Sequence, residues 1–339
     1  MSSCHVIVAC RRVASCCRGI LGRILARDRA RRAAHRDIHP RGETVPLLKI
    51  ASTHLSAEVS TTGAELQNLC DADGRSLQWD GDPAVWSGRA PILFPVIGML
   101  QGGGYRLDGH FYAMPKHGFA RHAVFEVVEH SDNHALLRLE ASDATRAAYP
   151  FAFRLDIAFG FIDRGVRIVA TVFNHDVRPM PASFGFHPAF RWPLPFGAAR
   201  AEPVIAFADD QHVSIRRLDA EGFLRPGTHA NPIVDDTLAL RDDLFVDDAL
   251  IIDGLVHRQV RYGAPDGPGL LVRFDDFPTL GVWTKPGAPF ICIEPWQGYA
   301  DPVGWDGDFR DKPGVVIIEA GESRAFGMRI DLYSGTAPV

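Results

Sequence analysis

Long apolar runs are missing from this chain. No stretch approaches the roughly 20 residues that a bilayer-spanning helix needs, so an integral helical membrane protein is excluded. Lysine is scarce: beyond residue 45 there are four, Lys49, Lys116, Lys285 and Lys312. Cysteine is scarce as well. Of six in 339 residues, Cys4, Cys10, Cys16 and Cys17 fall in the head, leaving Cys70 and Cys292 for the body. No CxxC pair and no Cys/His cluster at zinc spacing occurs, so no metal site is expected. Cys292 lies in an apolar strand, where a reduced thiol is expected, and a reducing cytoplasm is the simplest compartment. Also absent are βαβ alternation, a GxGxxG opening a helix, and a Walker loop, which disfavours nucleotide chemistry. Gly102-Gly103-Gly104 reads as a flexible turn before Tyr105, not as a phosphate cradle.

The formal net charge of −5 is unevenly divided. Residues 1–45 hold ten arginines against Asp28, Asp37 and Glu43, a net of +7 that leaves −12 for the rest. An acidic body argues against a nucleic-acid groove and suits an uncharged, hydroxylated ligand. The Arg-rich, acid-poor head, with a potential basic helix over 16–34, resembles an organelle transit peptide. We read it instead as disordered, or as an extension from a misplaced start codon. One large domain is expected over residues 46–339, with hydrophobic content of 46% supplying its core.

Within that body helical periodicity is almost absent, and short β segments alternate with Gly, Pro and Asp turns. The clearest case is 153–173. Phe153, Leu155, Ile157 and Phe159 alternate with Arg154, Asp156 and Ala158; after the turn at Asp163-Arg164-Gly165, Val166, Ile168, Ala170 and Val172 repeat the pattern. Asp108-Gly109 between apolar and aromatic residues predicts a second hairpin over 105–114, and 124–129 with 135–140 predicts a third. Many short strands with frequent turns imply an all-β antiparallel sandwich.

Polar residues that interrupt apolar strands are the functional candidates. His187 sits in Phe184-Gly185-Phe186-His187-Pro188-Ala189-Phe190, and Glu294 in Phe290-Ile291-Cys292-Ile293-Glu294-Pro295-Trp296. An ionised Glu is costly to bury without partners, so these two are candidates for a general base and a general acid; for His187 taken alone, a packed strand-end imidazole is the competing reading. Arg89 precedes the apolar run Ala90–Pro95 and offers a fork of donors to hydroxyls, or is a surface arginine. His117 in Lys116-His117-Gly118-Phe119-Ala120-Arg121 can point into a cleft, with Gly118 allowing close backbone approach; Arg121 can equally be an ion-pair partner. Asp247-Asp248 faces a ligand hydroxyl or caps a turn. Trp283 and Trp296 flank the Glu294 strand and offer faces for a pyranose ring, or fill a core.

Taken in order, Arg89-Ala90-Pro91-Ile92-Leu93-Phe94-Pro95, His117-Gly118-Phe119-Ala120-Arg121, Gly185-Phe186-His187-Pro188-Ala189-Phe190 and Ile293-Glu294-Pro295-Trp296 resemble the aldose 1-epimerase (galactose mutarotase) family, in its LacX-like branch. The resemblance runs from about Val45 to the C-terminus. It implies a large antiparallel β-supersandwich and interconversion of the anomers of a free aldohexose without cofactor or metal. By the same resemblance Glu294 takes the proton from the anomeric hydroxyl and His187 donates to the ring oxygen, while His117, Arg89, Asp248 and Trp296 bind substrate. The expected partner is a small sugar, with neither nucleic acid nor membrane, and the protein a monomer or homodimer. Two alternatives remain: a hexose-6-phosphate 1-epimerase, which needs extra cations such as Arg121 or Arg191, and a carbohydrate-binding protein without turnover. A glycosidase would need two carboxylates in the cleft.

Overall fold

A computed structural model describes residues 47–208 and 213–335. The basic head, and the expected start of the domain at residue 46, lie outside the described residues. Among the described residues the strands form antiparallel sheets, the largest of nine and of seven strands. The 153–173 segment behaves as its alternation dictates. Phe153–Ile162 pairs with Gly165–Asn174 across the Asp163 turn, and Phe153, Leu155, Ile157 and Phe159 are all buried. The Asp108-Gly109 hairpin joins Gly104–Leu107 to His110–Ala113, and Glu126–His130 pairs with His134–Glu140. One short helix, Asp143–Ala148, went unread in the sequence; Ser142 caps it through a capping box with Thr145.

The seven-stranded sheet carries the chemistry, and its period-two alternation sorts side chains onto two faces. From the strand Phe290–Gln297, Ile291 and Ile293 join the main core, the same cluster that takes Ile157, Phe159 and Val166 of the nine-stranded sheet. Phe184, Phe186 and Phe190 do the same from the neighbouring strands. The opposite face collects Leu93, Ile251 and Trp296 in one small cluster and Ala189, Phe290 and Cys292 in another. His187 and Glu294 project on that second face, on segments held together by Gly185↔Trp296 and Ala189↔Cys292 pairing. The Trp296 indole lies flat over Gly281 and Gly185, where a Cβ would come within 3.0 Å of its ring.

The loop of Lys116, His117 and Gly118 approaches this face from outside the sheet. Gly118 has φ +76, and a Cβ there would collide with the Phe94 carbonyl. The close approach expected of Gly118 is therefore present, and the left-handed backbone adds to the need for glycine. Gly118→Ala should cost on the order of 2–3 kcal/mol, combining backbone strain with a forced displacement. Urea unfolding checks this, and a wild-type midpoint would refute the assignment.

Candidate active site

The two residues that opened the case meet. His187 Nε2 lies 3.2 Å from Glu294 Oε2, and both side chains are buried, Glu294 to 1% residual exposure. The pair lacks hydrogen-bond alignment: neither Glu294 oxygen, nor His187 Nδ1, has a hydrogen-bond partner among the described residues. Burial, first of all, raises the Glu294 pKa well above the usual carboxylate range; the Asp248 carboxylate adds to the rise, while Lys116 and the Trp296 indole oppose it. Burial likewise pushes His187 down to about 3, helped by the Arg121 guanidinium. Both displacements favour uncharged forms. A neutral imidazole beside a carboxylic acid and an imidazolium beside a carboxylate hold the same single proton. What burial biases is therefore where that proton rests, not how many there are.

Aromatic rings fix the imidazole. Trp86 stacks on His187 at 5.3 Å between centroids, and Trp283 meets it edge-on at 5.8 Å. His117 stands perpendicular to it at 5.9 Å. The Nδ1 of His117 accepts the Gly98 N–H at 3.1 Å, while the backbone N–H of His117 donates to the Gly98 carbonyl at 3.2 Å. Burial holds the His117 pKa well below normal, so the ring is neutral. With Nδ1 accepting, the proton sits on Nε2, and His117 is a fixed donor. His117 and Asp248 both carry left-handed backbone, φ +67 and +63, a strained state that clusters at functional sites.

These groups line a cavity of about 270 Å³ shared by Trp86, Lys116, Arg121, Asp248, Trp283 and Trp296. A second cleft of about 540 Å³ adjoins it across Leu218, Asp248 and Trp283. The first contains His187 and Glu294 and is of a size for one sugar ring. The structure thus brings together His187, Glu294, His117, Asp248 and Trp296 as expected. Arg89 is a correction. It does not line the cavity; its guanidinium donates to the Gln67 carbonyl at 2.7 Å, and Glu65 accepts from the backbone N–H groups of Arg89 and Ala90. The Glu65 carboxylate, which also accepts from the Gln67 side chain, captures this segment from 24 residues away, a relation invisible in sequence. The cavity's guanidinium belongs to Arg121, which has no ion-pair partner within reach among the described residues and whose pKa burial lowers. Lys116 was missed as a site residue although it adjoins His117. Arg191, the other candidate cation, pairs with Asp80 instead.

Comparison with known proteins now decides the family. The description "Aldose 1-epimerase" attaches to the family whose profile matches residues 46–331. The chain belongs to the aldose 1-epimerase family. Two proteins from Lactococcus lactis subsp. lactis, LacX chromosomal and LacX plasmid, are each 31% identical over 281 residues, covering 80% of this chain and 94% of theirs. Among solved structures, a galactose mutarotase related enzyme from Lactobacillus acidophilus superposes with a TM-score of 0.79 at 29% identity, over 87% of this chain and 99% of that one. A galactose mutarotase-like protein from Lactobacillus casei gives 0.79 at 28% identity, over 85% and 100%. The LacX-like branch and the galactose mutarotase-like fold read from the motifs are both borne out.

The displaced histidine gives stability a pH dependence of known sign. In the unfolded chain His187 takes up a proton near 6.5, whereas in the folded one it does so only near 3. Folded and unfolded chains alike hold one proton on the His187–Glu294 pair between about pH 6.5 and 4.5, so this contribution to stability is lost as pH falls from about 4.5 toward 3, where the unfolded pair takes up a second proton and the folded one does not. His187→Gln should flatten the fall of the urea midpoint across this window. An unchanged slope would assign the loss to other groups.

Proposed function

We propose that this protein is a mutarotase, interconverting the α and β anomers of a free aldohexose through ring opening, with Glu294 and His187 as base and acid. The observation that carries the reading is the buried His187–Glu294 pair, 3.2 Å apart and facing a sugar-sized cavity. Glu294 accepts the proton of the anomeric hydroxyl as His187 gives its proton to the ring oxygen. The bond from C1 to the ring oxygen breaks, leaving an open-chain aldehyde; rotation about C1–C2 presents the other face, and closure returns both protons. The reaction starts with the shared proton on His187. Sugar hydroxyls donating to Glu294 favour that position, since a hydrogen bond to a carboxylate lowers its pKa. The neutral His117 donates to substrate oxygen from a fixed angle. Asp248 accepts from ring hydroxyls, and Trp296 supplies an apolar wall.

Polarimetry on freshly dissolved α-D-glucose or α-D-galactose tests this. Glu294→Gln and His187→Asn should each lower kcat/KM by roughly 10²–10⁴-fold, with the fold retained by circular dichroism. Full activity in Glu294→Gln would sink the assignment of the base. Arg121→Ala should raise KM, whereas Arg89→Ala should act through stability and leave KM near wild type.

A second reading has one specific observation in its favour. Lys116 and Arg121 both line the cavity, which gives an otherwise acidic body a cationic wall at the site. A hexose 6-phosphate would use it, since guanidinium and ammonium groups are natural phosphate partners. Under this reading kcat/KM for glucose 6-phosphate exceeds that for glucose, and Lys116→Ala removes the difference. Equal values for both sugars would return the case to the neutral aldose.

A further inference from the structure

Behind the proton-transfer pair lies a third group that the proposed reaction does not use. Cys292 and Glu294 sit two residues apart on one strand, so their side chains leave the same face of the sheet. Ala189 pairs with Cys292, and the Ile293 N–H donates to the Pro188 carbonyl at 3.2 Å, which holds His187 alongside both. One ligand atom from each of His187, Cys292 and Glu294 falls within 4.8 Å of the others, and all three residues are buried. The trio is assembled from residues 107 positions apart at its widest, His187 to Glu294, so the expectation of no metal site, drawn from local spacing, did not address it.

We propose that a zinc-class divalent ion binds between His187, Cys292 and Glu294, and that it blocks the site by occupying the acid–base pair. The donor set of nitrogen, sulfur and oxygen suits a borderline-soft ion and not magnesium or calcium, which take oxygen ligands. Tetrahedral zinc places ligand atoms about 3.3–3.8 Å apart. The 3.2 Å His187–Glu294 spacing meets this nearly as it stands, and the Cys292 sulfur, within 4.8 Å of both, has about 1 Å to close on binding. Three protein ligands leave the fourth position open, and His187 and Glu294 line the cavity through which the ion would enter. Binding releases the thiol proton and the single proton of the His187–Glu294 pair to solvent. The resulting thiolate, carboxylate and neutral imidazole offset the two positive charges of the ion, so the buried complex carries no net charge and avoids the cost of an uncompensated one.

The same structure sets the strength of the site. Metal-bound histidines owe part of their affinity to a partner on the second ring nitrogen. His187 Nδ1 has none among the described residues, and neither Glu294 oxygen accepts a well-aligned hydrogen bond among them. The ion is accordingly held reversibly, as an inhibitor in competition with sugar, and more weakly than a resident zinc. The proposal goes beyond the mutarotase reading, and its first test does not depend on that reading.

The full chain, stripped with EDTA, is titrated with Co²⁺ as a spectroscopic substitute for zinc. Wild type should show a near-ultraviolet sulfur-to-cobalt band that Zn²⁺ displaces. Cys292→Ser, and Cys292→Ala should serine disturb the strand, should lose the amplitude of one site even if the head cysteines contribute others. Identical amplitude in wild type and both variants overturns the proposal, as does the absence of any band. In polarimetry, Zn²⁺ should inhibit wild type reversibly to EDTA and compete with sugar, and Cys292→Ser should need at least 10-fold more zinc for the same inhibition while keeping its turnover. If no sugar is turned over at all, the mutarotase reading fails and the cobalt result still decides the site.

Discussion

A single proton held between two buried groups is the constraint on which the site depends. Glu294 and His187 are 3.2 Å apart and almost without solvent. Two charges apart from each other in such a place would be costly, and so would one charge alone. Sharing one proton avoids both, since either arrangement of it is neutral overall. Acid–base catalysis needs one group able to give a proton and one able to take it, and a pair of this kind meets that need at every pH between its first and second titration. The burial that raises Glu294 and lowers His187 thus widens the range over which the one-proton state persists.

Holding that pair requires a rigid floor, and the sheet supplies it by alternation. Odd-numbered residues of the 290–297 strand bury Ile291 and Ile293 in the main core, which pins the strand; even-numbered residues carry Cys292, Glu294 and Trp296 on the opposite face, where Glu294 and Trp296 line the cavity. Absence of side chains at Gly185 and Gly281 lets the Trp296 ring lie against the sheet instead of filling the cavity. From the other side, His117 is tied to Gly98 by a reciprocal pair of hydrogen bonds. That loop is itself held by Asp301, whose carboxylate accepts from Gln101 and pairs with the buried Lys312 at 2.7 Å. The buried ion pair does not itself line the cavity, yet through Met99 and Gln101 it fixes the backbone around Gly98 that sets the His117 tautomer.

This division of labour explains what could be read from the sequence. Strand content and the 153–173 hairpin were legible because period-two alternation is local, and Asp108-Gly109 because its turn chemistry is local. His187 and Glu294 stood out because a polar residue inside an apolar strand demands a reason. Arg89 misled because its position before an apolar run says nothing about Glu65 and Gln67, which lie at the start of the Leu66–Asp71 strand and claim its backbone and guanidinium. Arg121 was ambiguous for the converse reason: its place in the cavity wall, without an ion-pair partner among the described residues, is a property of the fold alone. The helix Asp143–Ala148 carries a capping box but too few turns to show a period.

The cations in the cavity bear on both substrate readings through the same pair. Lys116 and Arg121 oppose protonation of His187, and Lys116 also favours ionisation of Glu294. Toward a neutral sugar these two effects pull against each other: one helps make the base and the other hinders making the acid. An anionic substituent seated on Lys116 and Arg121 would cancel their field at His187, and the imidazolium would form more readily. Substrate charge would then act on the reacting centre as well as on binding, so that a preference for phosphorylated sugar would appear in kcat as well as in KM. A neutral sugar leaves the field in place and must draw the proton to His187 through hydroxyl groups donating to Glu294 alone.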